Sequence, residues 1–191
     1  YMPATFQGTI LRGGETPILN LSTPPGVSTA QQQSTVDFIN RLNRANLGPT
    51  DAESDLAARI SSYELAFRMQ QHAPDVVDIS KETAATKKLY GLDQKITGEF
   101  GLRCLLARRM LERGVRFVQI FHRGWDQHGS LPRDIASQSK DVDRACYGLV
   151  QDLKQRGMLD ETLVIWGGEF GRTVYSQGAL TETNYGRDHH P

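Results

Sequence analysis

The amino-acid sequence predicts an α/β fold with a mostly parallel sheet, and three observations predict it. Residues 97 to 191 run twice through the same order of amphipathic helix, glycine, short apolar run and polar loop. The two apolar runs, Val115 to Phe121 and Leu163-Val164-Ile165-Trp166, are rich in β-branched and aromatic residues, as in strands buried on both faces. Each run ends in a loop crowded with chemistry-bearing residues, and in parallel sheets ligands bind beyond the carboxyl ends of the strands.

The elements follow in chain order. Residues 1 to 27 mix glycine, proline and short apolar pieces, and Thr23-Pro24-Pro25-Gly26 is a turn signal, so irregular extended chain is expected. Ser28 with Gln31 forms a capping box that opens a helix with Val36, Ile39 and Leu42 as its apolar stripe, ending before Gly48-Pro49. Thr50 and Glu53 offer a second capping box, after which Leu56, Ile60, Tyr63 and Phe67 recur at helical spacing to about Gln71. Residues 28 to 71 therefore read as a helical pair. From Ala73 to Thr97 the pattern weakens to a surface connection, with a short helical piece begun at Ser80 and a stop at Leu89-Tyr90-Gly91. A helix from Thr97 places Phe100, Leu102, Leu105, Leu106 and Met110 on its apolar face and ends at Gly114. The second helix of the repeat is expected from about Ser137 through Val142, Cys146, Leu149 and Leu153 to Gly157.

Composition narrows the function classes. The 191 residues carry 22 Lys and Arg against 22 Asp and Glu, so no overall charge favours a polyanion, and no nucleic-acid partner is expected. No run approaches the roughly 18 apolar residues of a membrane span, so no transmembrane segment is expected. Cys104 and Cys146 are too few for a disulfide framework and lie far from CxxC spacing. The chain opens in mid-flow at Tyr1-Met2-Pro3 and stops at Asp188-His189-His190-Pro191, which we read as one partial domain, 1 to 191, of a longer protein.

Four groups of residues could carry chemistry. Asp126 and His128 are one residue apart, so in extended chain both side chains leave the same face and can reach one cation. A carboxylate oxygen with an imidazole nitrogen suits Zn, Mn or Fe better than Ca or Mg. A lone DxH is more often an aspartate capping a backbone N–H beside a solvated histidine; its place after an apolar strand shifts the balance toward function. Glu169 follows Gly167-Gly168, where missing side chains let a ligand approach, or else it is a turn residue. Arg172 can make a bidentate contact to a tetrahedral oxyanion or pair with Glu169. Arg187-Asp188-His189-His190 gathers a carboxylate and two imidazoles, and because neighbours on extended chain face opposite ways, one histidine, His189 by preference, is expected to join Asp126 and His128. His72 suits a helix C-terminus, and His122 a supporting position near the loop.

Taken together, Leu56-Ala57-Ala58-Arg59-Ile60, Tyr63-Glu64-Leu65-Ala66-Phe67-Arg68-Met69-Gln70, Arg113-Gly114-Val115-Arg116-Phe117-Val118, Trp125-Asp126-Gln127-His128, Gly167-Gly168-Glu169-Phe170-Gly171-Arg172-Thr173 and Gly186-Arg187-Asp188-His189-His190-Pro191 resemble a bacterial family of unknown function, number 1501, sulfatase-like and grouped with the alkaline phosphatase superfamily. The resemblance implies a three-layer α/β/α sandwich and a divalent metal, Zn, Mn or Ca, at the strand ends. It also implies export to the periplasm or cell envelope by a signal outside this chain. Carried onto these positions, it implies a metal set drawn from Asp126, His128, Glu169, His189 and His190; Arg172 and Arg187 are the oxyanion contacts expected from their own chemistry. Phe170 stands where the superfamily has a histidine after its acidic second-metal ligand, which puts a two-metal site in doubt. The nucleophile is expected before Tyr1. Cys104 is not it: Cys104-Leu105-Leu106-Ala107-Arg108 lacks the proline of the C-x-P-x-R modification signal and lies in a helix.

The function expected on this basis is metal-dependent hydrolysis of phosphate or sulfate esters, of small molecules or polysaccharides, with the segment inactive alone. The alternative is a non-catalytic cell-envelope binding or scaffold protein on the same fold. A weaker third option has Trp125 stacking on a sugar, against its role as a half-buried anchor of the loop.

Overall fold

The computed structural model describes residues 8–14, 17–18, 21–48, 55–168 and 170–191. Its elements are α1 (Thr29–Ala45), α2 (Asp55–Val77), α3 (Ala84–Leu89), α4 (Lys95–Leu111), α5 (Leu131–Gln155), a 3₁₀ turn at Leu159–Glu161, β1 (Gly171–Arg172) and β2 (His189–His190). They form two compact units, 1–80 and 81–191.

The expected α/β/α sandwich with a mostly parallel sheet is not what forms. The described residues are predominantly helical, and their one small sheet is antiparallel. The reason lies in what a strand requires. An apolar β-prone run becomes a strand only when another segment lies about 4.8 Å away to complete its ladder. Among the described residues, Val115 to Phe121 and Leu163 to Trp166 join no ladder, and they remain irregular with Phe117 81%, Leu163 84% and Ile165 79% exposed. The core belongs to helices instead.

In the first unit, α1 begins where the capping box places it. Ser28 Oγ accepts from the Gln31 N–H at 3.2 Å, and the Gln31 side chain accepts from the Ser28 N–H at 2.8 Å. The second capping box, at Thr50 and Glu53, lies outside the described residues. α1 packs on α2, with Ala58, Ile60, Phe67 and Ala73 buried, a 2.7 Å hydrogen bond from Gln32 to Gln70 and an ion pair between Arg44 and Glu64. α2 continues past Gln71 to Val77 with Pro74 inside it, where residue 74 has no N–H to give to the helical ladder.

The core of the second unit is α4 against α5, burying Phe100, Cys104, Leu105, Leu106 and Ala107 of α4 and Val142, Ala145 and Leu153 of α5. α5 starts at Leu131, earlier than its periodicity indicates, because Pro132 is preorganised for a first helical turn. The stretch expected as a surface connection also has a buried member. Tyr90, the C-cap of α3, is fully buried, and Gly101 of α4 admits its backbone, since a Cβ there would fall 2.1 Å from the Tyr90 carbonyl oxygen.

Polar groups also join these helices. Arg108, 1% exposed, reaches Glu82 at 2.8 Å, Glu112 at 2.6 Å and Asp152 at 3.0 Å. The Tyr90 hydroxyl donates to Asp152 at 3.0 Å, and Arg156 bridges Asp152 and Glu112, each at 2.8 Å. Arg109 also pairs with Glu82. A buried cation with this many acids is offset in charge, and taking away one member strands the others in a dry interior. Among the described residues, no helix is long and apolar enough to cross a membrane.

Candidate functional site

The site assembles from the loop before α5 and the C-terminal antiparallel excursion. Residues 171 to 190 fold back on themselves: β1 pairs with β2 in the register Gly171 to His190 and Arg172 to His189, and an isolated bridge joins Gln177 to Gly186. Thr181 and Asn184 close the turn, the Thr181 N–H bonding the Asn184 carbonyl at 3.2 Å. Opposite residues in an antiparallel pair share a face, so Arg172 and His189 project to the same side. His190, opposite Gly171, falls on the other.

Backbone hydrogen bonds lace this excursion to the loop. The Arg187 N–H bonds the Gln127 carbonyl at 3.0 Å, the Leu131 N–H bonds the Tyr185 carbonyl at 2.9 Å, and the Ser130 N–H bonds Asn184 Oδ1 at 3.0 Å. Gly186 passes so close to His128 that a Cβ at 186 would lie 2.0 Å from the His128 carbonyl carbon, so only glycine fits this crossing. Thr173 closes the other side, its N–H bonding the Asp188 carbonyl at 2.9 Å and its hydroxyl accepting from the Asp188 N–H at 3.0 Å. Trp125 anchors the loop by donating to His122 Nδ1 at 3.0 Å and by meeting Trp166 edge-on at 6.2 Å. His122 itself sits edge-on to Phe100 at 5.2 Å, and burial lowers its pKa, so it belongs to this anchor.

The result is a convergence on one atom. Asp126 Oδ1 lies 2.9 Å from His128 Nε2 and 2.9 Å from His189 Nε2, and it also pairs with the Arg172 guanidinium. One ligand-type atom from each of Asp126, His128 and His189 lies within 4.8 Å of the other two. The Arg172 hydrogen bond first, and the His189 ring next, hold the Asp126 carboxyl well below the usual carboxylate range. The His128 pKa is raised, first by its hydrogen bond with Gln177 and then, against some desolvation, by the Asp126 charge. The His128 and His189 rings lie 4.8 Å apart, and Phe170 meets His189 edge-on at 4.7 Å.

The other expected site residues stand differently. His190 Nδ1 is 2.9 Å from the Pro191 carbonyl oxygen and takes no part in the cluster. Arg187 donates to the Val174 carbonyl and lies over the Tyr185 ring at 5.8 Å. Glu169 lies outside the described residues. Sequence reasoning did not single out Gln177, whose Oε1 meets His128 Nδ1 at 2.5 Å, and no local signal marks it, because its partner is 49 residues away.

The donor set, two imidazole nitrogens and a carboxylate oxygen within 4.8 Å of one another, could hold a metal ion. Ligand atoms around a tetrahedral Zn at about 2.0 Å are separated by roughly 3.3 Å, so the two 2.9 Å contacts would open slightly and the two rings would draw together around an ion. Two imidazoles and a carboxylate make the three-ligand pattern of sites that leave a position open for substrate.

One family model covers the whole chain: residues 1–191 match the family described as protein of unknown function (DUF1501). No curated protein and no solved structure matches it.

Proposed function

The chain belongs to the DUF1501 family, and from the geometry of its site we propose a metal-dependent hydrolase domain acting on phosphate or sulfate esters. The observation that carries the reading is the meeting of Asp126, His128 and His189 at one point, with Arg172 beside them. The resemblance of the Trp125-Asp126-Gln127-His128 and Arg187-Asp188-His189-His190 elements to a sulfatase-like group adds the substrate class.

Asp126 and the two Nε2 atoms would hold a divalent cation, with Zn or Mn best suited to mixed nitrogen and oxygen donors. Such an ion, when bound, polarises an ester oxygen and offsets the charge that develops on it. The side chains do the rest. Asp126, kept ionised by Arg172, offers a charged ligand at neutral pH. Arg172 carries a planar fork of donors that matches two oxygens of a phosphoryl or sulfuryl group, and it stands next to the ligands where such a group would lie. Phe170 touches both, its ring edge-on to His189 and 5.4 Å from the Arg172 guanidinium.

Turnover of an aryl phosphate and an aryl sulfate, each with Zn, Mn or Ca added, tests the reading in the longest form of the protein. Metal-dependent hydrolysis of either ester, abolished in Asp126→Ala, is the expected result. No turnover with any metal would instead favour the non-catalytic scaffold.

A further inference from the structure

We infer that Gln177 is a positioning residue that sets which nitrogen of His128 is free to bind a cation; this rests on the metal reading above. An imidazole offers a metal only the nitrogen that has lost its proton, and the hydrogen bond at the other nitrogen decides which one that is. In His128, Nε2 belongs to the convergent donor set, 2.9 Å from Asp126 Oδ1, while Nδ1 meets Gln177 Oε1 at 2.5 Å. An amide oxygen only accepts, so Nδ1 carries the hydrogen in this contact. With a cation held at Nε2 in place of its proton, Gln177 would keep the remaining proton on Nδ1. The other acceptor near that nitrogen, Asp188 Oδ1, is 3.9 Å away, beyond hydrogen-bond reach.

The backbone fixes this contact at both ends. Gln177 is paired with Gly186 in an isolated antiparallel bridge, its N–H bonding the Gly186 carbonyl at 3.0 Å. Gly186 in turn lies against the His128 backbone. One residue therefore locates both partners, and the amide reaches the ring over a short, fixed path. Gln177 acts through His128 and touches none of the atoms that would react.

Three substitutions and two readouts, calorimetric and spectroscopic, test the inference. Removing an outer partner of a metal-bound histidine costs about 10- to 100-fold in metal affinity. Gln177→Ala is expected to lose Zn²⁺ affinity by that factor in calorimetric titration, and Gln177→Glu, which keeps an acceptor at the same place, to restore it. A structural role alone would leave the tautomer of His128 unchanged, which the second arm reads. Equal Zn²⁺ affinity in Gln177→Ala and the unsubstituted chain would overturn the inference. The second arm needs no metal. In Asp126→Ala the competing acceptor at Nε2 is gone, and long-range ¹H–¹⁵N correlation spectra above the histidine pKa should show neutral His128 protonated on Nδ1. Protonation on Nε2 would mean that Gln177 does not set the tautomer. Absence of Zn²⁺ binding by the unsubstituted chain would overturn the metal reading itself, which the tautomer measurement does not depend on.

Discussion

Gly186 and His128 cross backbone to backbone, with space at residue 186 for a hydrogen and nothing larger. The crossing sets the height of the His128 ring over Asp126. Gly186→Ala should push the two segments apart while leaving most of the helical circular dichroism signal, because the changed segment meets α5 at its first turn, where the Leu131 N–H bonds the Tyr185 carbonyl. Zn²⁺ affinity should fall by about tenfold or more, as expected when support behind a ligand is lost. Calorimetry at matched protein concentration checks this, and unchanged affinity would show that the crossing does not position the ring.

Arg172 occupies Asp126 in the structure, and a cation must share that carboxylate with it. Arg172→Gln removes a positive charge beside the donor set. Zn²⁺ should then bind a few-fold tighter, while inhibition by inorganic phosphate weakens. The Asp126 carboxyl, relieved of its main partner, should also titrate closer to the usual carboxylate range in an NMR pH series. Weaker Zn²⁺ binding in this variant would contradict a competing role for Arg172.

The buried network around Arg108 predicts the stability of the second unit. Arg108→Met leaves Glu82 and Asp152 without their central cation and should cost about 3–5 kcal/mol in urea denaturation. Tyr90→Phe removes one hydrogen bond to the same carboxylate and should cost about 1–2 kcal/mol. A smaller effect for Arg108→Met than for Tyr90→Phe would mean that the network is not organised around Arg108.

Glu82 gives the pH dependence. Burial pushes its carboxyl up, but the hydrogen bonds and charges of Arg108 and Arg109 outweigh burial and hold the pKa below its ordinary value of 4.5. A group with a depressed folded-state pKa stabilises fully above its unfolded pKa, and that contribution disappears as pH falls through the folded value. The advantage of the unsubstituted chain over Glu82→Gln should thus hold from neutral pH down toward 4.5 and shrink as the pH falls below it. Denaturation midpoints across that range provide the check; an advantage that grows on acidification would reverse the sign argued here.

The parts of the molecule legible in the sequence are those set by local chemistry. The Ser28 and Gln31 capping box is written within one helical turn, and the apolar spacing in α4 needs no distant residue to be read. The sheet was not legible in this way. Val115 to Phe121 and Leu163 to Trp166 have the composition of buried strands, but a ladder is a relation between segments, and among the described residues these two have none. The site divides along the same line. The spacing of Asp126 and His128 and the opposite facing of His189 and His190 follow from strand periodicity, and the cross-strand register of Arg172 with His189 completes the cluster. Gln177 and Gly186 owe their importance to contacts with His128 across a long stretch of chain, and nothing in their immediate sequence announces it.

Isothermal titration of Zn²⁺ into the unsubstituted chain and into Asp126→Ala, His128→Ala and His189→Ala tests the central claim most directly. The account predicts one saturable site in the first, lost or strongly weakened in each of the other three. Equal binding in all four, or none in the unsubstituted chain, would contradict it.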